Sequence, residues 1–358
     1  MTVLLVACLA CVVVFVAAAF AADPADQTKT DQAVALGQIE EVTVTADKRA
    51  ENAQNVPVSI TAVTPKQAVD FGAFQSDHLN QLVPGLQIQH ELDSTTTFIR
   101  GVGPNSNGTG EESSVAVYLD DLYIEQGDAS VFSLNAISGI EILKGPQGTL
   151  FGRNATGGVI QVFTRDPSFT PSLDAHIGYG NYDTKAGDLY ATGSLIPGVL
   201  AANLALYEYD ETAGWGRDVL TGERAFTSEA WAARVKFLLT PTATTRVLLS
   251  LNHFYTRGEE GLGLNQVPQY IAAGAPLLST SARFVGWYNT EDYVNDVSVI
   301  KHDLIEARLE QDTGVAKFVD IIGSDLPDHC PRKQSERQVT TEWTSRPSLA
   351  ATTQLGST

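Results

Sequence analysis

Cysteine is nearly absent: of three in 358 residues, Cys8 and Cys11 lie in the first apolar stretch and Cys330 lies far along the chain. The body between them can hold no disulfide, no thiolate zinc site and no cysteine nucleophile. Positive charge is short too, with 23 Lys and Arg against 42 Asp and Glu and a net charge of −19. Neutralising a phosphate backbone needs clustered cations, so no nucleic-acid partner is expected. Histidine is sparse, and neither His78 nor His90 has a second ligand at metal-binding spacing, which leaves no metal site to assign. No nucleophile with a base and no His/carboxylate cluster stands out, so neither a catalytic residue, nor a cofactor, nor an enzyme is expected. What remains is ordinary: 43% hydrophobic residues is the share of a chain that folds.

Residues 1–22 read as a secretory signal peptide. The stretch from Val3 to Ala22 is almost wholly apolar and ends in Ala19-Phe20-Ala21-Ala22 before Asp23, a small-residue cleavage pattern. A retained membrane helix is the alternative, since about 20 apolar residues can span a bilayer. A lipoprotein cleavage motif at Leu5-Val6-Ala7-Cys8 has too little apolar sequence before the cysteine. No Lys or Arg precedes the core, a departure that an upstream start codon would explain.

Residues 23–54 read as a linker, polar and without a sustained period. Within it stands a short β-branched alternation, Ile39-Glu40-Glu41-Val42-Thr43-Val44-Thr45. An isolated strand of this kind can add to the edge of a partner's sheet, with main-chain hydrogen bonds supplying affinity. The plainer alternative is an ordinary first strand of the next domain.

Residues 55–167 carry the pattern of an α+β domain, a mixed four-stranded sheet with short helices. It opens on a strand from Val56 to Thr61. Thr64-Pro65 supplies an N-cap with proline at the first helical position, and Ser76-Asp77 opens a second helix that ends at Val83-Pro84-Gly85. Strands follow at Leu86–Gln89, Thr97–Arg100, Val115–Leu119, Leu122–Ile124, Ile140–Leu143 and Val159–Thr164, and Asp120-Asp121 reads as a two-residue hairpin turn.

From 168 to 323 the period becomes two. In Trp231-Ala232-Ala233-Arg234-Val235-Lys236-Phe237-Leu238-Leu239 the odd positions are apolar while Arg234 and Lys236 fall on the other face, so one side should meet something greasy and the other something wet. About seven such strands have the length of a tilted membrane strand. Tight connections at 196–198, 240–243 and 312–314 alternate with long ones at 211–227 and 257–296, as in an antiparallel transmembrane β-barrel. A soluble sandwich, in an exported binding or adhesive β-protein, is the alternative. Beyond Ser324 alternation stops, so residues 324–358 read as a non-barrel tail from a frameshifted or truncated gene.

The most specific stretch is Lys144-Gly145-Pro146-Gln147-Gly148-Thr149-Leu150-Phe151-Gly152-Arg153-Asn154-Ala155-Thr156-Gly157-Gly158, preceded by Ile140-Glu141-Ile142-Leu143. Its glycines permit tight turns and close backbone approach. A phosphate-cradling loop would need a Lys-Ser/Thr pair after the last glycine, which is missing. With Val83-Pro84-Gly85-Leu86, Ile99-Arg100-Gly101-Val102-Gly103 and Val117-Tyr118-Leu119-Asp120-Asp121, in this order and spacing, the chain resembles the TonB-dependent outer-membrane receptors. The resemblance runs from Ile39 to about Gly323.

That resemblance implies a cell outer-membrane location in a Gram-negative organism and a barrel of about 22 strands, of which this chain holds about seven. A plug closes the barrel from within, its structural glycines falling at Gly101, Gly145, Gly148, Gly152, Gly157 and Gly158. The segment 39–45 becomes the TonB box, pairing with the TonB energy-transducing protein, which works with inner-membrane partners. Arg100, Glu141 and Lys144 become a lock between plug and barrel carboxylates, where lysine at 144 stands in place of the commoner arginine. The implied activity is energised import of a scarce nutrient as a small-molecule ligand, first of all a metal chelate such as a ferric siderophore. Vitamin B12, haem and oligosaccharides stand behind it, and the remaining partner is outer-membrane lipid. A seven-stranded wall with open edges would expose unpaired backbone to that lipid, so such a fragment should not insert or function alone.

Overall fold

A computed structural model describes residues 43–44, 51–52, 58–71, 76–91, 94–104, 112–124, 136–219, 222–259, 289–290, 296–329, 332–333 and 348–357. The signal-peptide reading of 1–22 and most of the linker lie outside them. Two layers follow in chain order, a plug and a curved wall.

The plug sheet has the strand order β1 (Ser59–Val63), β6 (Ile137–Lys144), β7 (Gly158–Thr164), β4 (Val115–Leu119) and β5 (Leu122–Ile124), all antiparallel except the parallel pair β4 and β7. The sheet is mixed as expected but has five strands, because the opening strand of the domain adds to its edge beside β6. β2 (Leu86–Glu91) and β3 (Ser94–Ile99) form a separate hairpin. Helix α1 (Pro65–Asp70) starts where the capping residues direct: the Gln67 backbone N–H donates to Thr64 Oγ1, and the Thr64 N–H donates to Gln67 Oε1 at 2.9 Å. Ser76–Gln81 is a short 3₁₀ helix, and a single turn, α2 (Gly148–Phe151), follows the glycine-rich bend. Asp120 and Asp121 both have positive φ, 49° and 70°, the geometry of a two-residue turn that keeps the twist of its strands.

The wall is an antiparallel sheet of β8 (Ser172–Tyr179), β9 (Lys185–Ile196), β10 (Leu200–Glu211), β11 (Thr227–Thr242), β12 (Thr245–Glu259), β13 (Asp296–Asp312) and β14 (Ala316–His329), each paired with the next. These are the seven strands that alternation predicts. Two features differ from expectation: β14 runs on to His329, past 323, and β15 (Ser348–Ser357) pairs along it. Backbone pairing with the 17-residue β13 carries the strand beyond the point where side-chain alternation ends.

The two faces of the wall are opposite in character. Along β11 the even positions Ala230, Ala232, Arg234, Lys236 and Leu238 are buried while the odd apolar ones are half-buried or exposed. Leu249, Leu251, Ile305, Leu309, Phe318 and Ile322 continue the exposed apolar face onto β12, β13 and β14. Near the ends of β11 and β12 that join the long connections, Trp231 and Tyr255 stack with centroids 6.1 Å apart, where a membrane wall carries its aromatic girdle. The covered face is ionic midway along the strands, at Arg234 and Lys236, and toward the long connections plug residues Leu119, Leu122 and Ile124 join one apolar cluster with wall residues Tyr207, Ala232, Phe254 and Leu304. A water-soluble sandwich would hide its apolar face and expose its polar one. The reverse is seen, which corrects the sandwich reading, and the face expected to be wet is sealed by the plug.

Candidate functional site at the plug and wall interface

Of the segment 39–45, the described residues are Thr43–Val44. They pair antiparallel with Glu51–Asn52, Thr43 opposite Asn52 and Val44 opposite Glu51, so this strand is not isolated. Ile39, Glu40, Glu41, Val42 and Thr45 lie outside the described residues.

The structure brings Arg100 and Lys144 together at one end of the plug sheet. The Arg100 guanidinium donates to Ser59 Oγ at 2.8 Å, and Lys144 Nζ donates to the Pro84 carbonyl oxygen at 2.8 Å. Partial burial and then the Arg100 charge hold the Lys144 ammonium below its ordinary range. Glu141 is buried opposite Gln161 on the next strand. Both hydrogen bonds are to the plug itself. Among the glycines, Gly101, Gly145 and Gly152 have positive φ, Gly148 opens α2, and Gly157 and Gly158 lie against neighbouring backbone.

The ionic contacts between plug and wall lie elsewhere. Lys236, fully buried on β11, places Nζ 2.9 Å from Asp120 Oδ2 and 3.2 Å from Asp166 Oδ1. Asp120 sits in the β4–β5 turn and accepts from the backbone N–H and the hydroxyl of Thr164. Its neighbour Asp121 accepts from Arg308 on β13 at 2.7 Å, and Asp166, just after the plug, accepts from Arg246 on β12 at 2.6 Å. Arg234 is buried beside them and donates through Nε to Asn252 at 2.6 Å. Three plug-side carboxylates thus face four wall cations. Above them Leu122 occupies the space that Gly323 leaves open on β14: a Cβ on that glycine would come 2.4 Å from Leu122 Cδ1. Alternation predicted where Arg234 and Lys236 point, but the sequence did not announce what they meet.

Burial pushes the Asp120 carboxyl up, and the charges of Lys236 and Arg234, together with the two Thr164 hydrogen bonds, outweigh it and hold the group below the ordinary carboxylate range. A carboxylate depressed in the docked state contributes stability that is complete above its undocked value, about 4, and is lost as pH falls through the lower docked value. The contribution of Asp120 to docking is therefore expected to be flat above about pH 5 and to be lost only below about pH 4. Hydrogen exchange of residues 115–124 across that range checks it, and Asp120→Asn should remove this acid-dependent loss.

The arrangement of a plug followed by an antiparallel wall has counterparts among known proteins. Residues 52–159 match the family described as TonB-dependent Receptor Plug Domain. The chain carries this plug domain, followed by a seven-stranded antiparallel sheet that aligns with part of such receptors. It is 30% identical over 190 residues to the pesticin receptor of Yersinia pestis, covering 51% of this chain and 28% of that one. It is 32% identical over 205 residues to the iron-regulated outer membrane virulence protein of Vibrio cholerae serotype O1, covering 55% of this chain and 29% of that one. The fold is shared with the crystal structure of the ferric yersiniabactin uptake receptor FyuA from Yersinia pestis, at a TM-score of 0.64 and 22% identity over 77% of this chain and 42% of that one. The Vibrio cholerae relative is by its name an outer membrane protein. These matches span less than half the length of each relative.

Proposed function

We propose that the chain is the gate and the energy-receiving part of an importer that takes a scarce nutrient through the outer membrane, first of all a ferric siderophore. The observation that supports this most strongly is the seating of the plug turn on the inner side of the sheet through Lys236 and Arg308. The names of the relatives above, an iron-regulated protein and a ferric yersiniabactin uptake receptor, favour iron in chelated form.

In this reading the substrate binds at the outer loops, the plug shifts, and the segment Ile39, Glu40, Glu41, Val42, Thr43, Val44 and Thr45 becomes available to the TonB protein. Pairing of backbone with backbone lets that partner pull without any nucleotide at the receptor. Arg100 and Lys144, two cations side by side, would be answered by carboxylates of further wall strands, with Glu141 supporting them from within the sheet. The outer edges of β8 and β15 favour further strands, since an open edge leaves unpaired backbone groups in lipid at several kcal/mol each.

A receptor lacking residues 39–45 is expected to bind ferric chelate at the cell surface as the parent does and to import none. Radiolabelled iron uptake beside surface binding in a receptor-deficient strain checks it, and parental uptake would overturn the assignment. Growth of the same strain on a panel of iron and nutrient sources identifies the cargo.

A further inference from the structure

Glu306 on β13 lies in the same inward-facing row as Lys236: Lys236 is opposite Ser250, and Ser250 is opposite Glu306. With adjacent strands about 4.8 Å apart, the two backbones are separated by about 10 Å, with only a serine side chain between them. A lysine stem and a glutamate stem can close that span. Glu306 is 3% exposed, and its Oε1 atom has no hydrogen-bond partner among the described residues.

In the docked arrangement Glu306 has no cation to itself. Lys236 is met by Asp120 and Asp166, and Arg308 is met by Asp121 and Glu310. Asp120 and Asp121 lie within electrostatic reach of Glu306, and so do Lys236 and Arg308. A buried acid that the docked arrangement leaves with an unpartnered oxygen is accounted for if it serves the undocked one.

We propose that Glu306 is the stand-in counter-ion of Lys236: when the Asp120 turn withdraws, Lys236 moves across Ser250 to Glu306. The wall then never holds an unpaired buried cation, and the energy needed to free the plug falls. The exchange is a change of ionic partner: Glu306 receives Lys236 as a carboxylate, and a proton held on it while docked leaves to water. It rests on the reading of the plug as a moving gate, but not on what moves it.

The test is hydrogen exchange of residues 115–124 in the detergent-purified receptor carrying this chain, compared among the parent, Glu306→Gln, Asp120→Asn and the double variant. Glu306→Gln removes the carboxylate partner from the open state, so exchange should slow by about tenfold or more. With Asp120 already neutral, Lys236 rests on Glu306. Adding Glu306→Gln to Asp120→Asn should then lower the thermal stability of the wall, reversing the sign of its effect. Unchanged or faster exchange in Glu306→Gln, or destabilisation in both backgrounds, would make the residue a plain structural acid and overturn the proposal. If Glu306→Gln fails to fold, Ser250→Leu, which blocks the crossing, should slow exchange equally, and parental exchange there would also overturn it. Because exchange needs no energiser, normal import after removal of residues 39–45 would defeat the coupling reading and leave this one standing.

Discussion

Replacing Lys236 with methionine is expected to undock the plug turn at a cost of about 3–5 kcal/mol, because Asp120 would remain buried without its nearest cation. Methionine keeps most of the volume, so the loss reports charge and not a cavity. Arg246→Met should cost less than about 1 kcal/mol, since its partner Asp166 is 41% exposed in the side chain and water can replace the contact. Pairing Lys236→Met with Asp120→Asn should cost less than the sum of the two single changes, as groups in direct contact do. Hydrogen exchange of 115–124 and urea-induced unfolding of the plug in the detergent-held receptor measure all four. Parental exchange in Lys236→Met would show that the turn is held by its apolar contacts with Tyr207, Phe254 and Gly323, and that the ion pair is incidental.

The contrast between legible and illegible parts follows from how far apart the interacting residues stand in the chain. The wall strands were readable because each declares itself locally: alternation in 231–239 fixes which side chains share a face, and β11 obeys it residue by residue. The capping pair Thr64 and Gln67 and the Asp120-Asp121 turn are local in the same sense. The seating of the plug is not. Arg308 and Asp121 are separated by 187 residues, and no period or propensity links them. The fifth plug strand was visible as a strand, but its place at the sheet edge is a matter of tertiary pairing with β6. Beyond 323 the side chains stop alternating while the backbone continues to pair, and a reading of side chains alone ends the strand too soon. Arg100 and Lys144 illustrate a different limit. Motif position singled them out, and the structure sets them side by side on Ser59 and Pro84, both hydrogen bonds falling within the plug.

Gly158→Ala is expected to cost the plug about 3 kcal/mol or more, enough to remove most folded receptor from the outer membrane. The residue begins β7, the central strand of the sheet, pairing with Lys144 on one side and Val115 on the other. Its φ is 155°, and a Cβ there would lie 2.5 Å from the Leu143 carbonyl oxygen and 2.7 Å from Ile99 Cδ1. The isoleucine end could turn aside. The carbonyl is fixed by the ladder between β6 and β7, so relief requires the two strands to part where Leu143 and Val159 are wholly buried. Overpacking of a closed core by a single methyl is commonly a matter of about 1–3 kcal/mol, and loss of ladder hydrogen bonds adds to it. Gly148→Ala is the matched control: nothing lies within 4 Å of its added methyl and its backbone is helical, so it should be neutral or slightly stabilising. Quantifying heat-modifiable folded receptor in outer-membrane fractions, with both variants expressed to equal total level, decides between them. Equal folded amounts for the two would mean that β6 yields at Leu143 without harm, and that the glycine pair at 157 and 158 is there for the turn and not for the closeness of the strands.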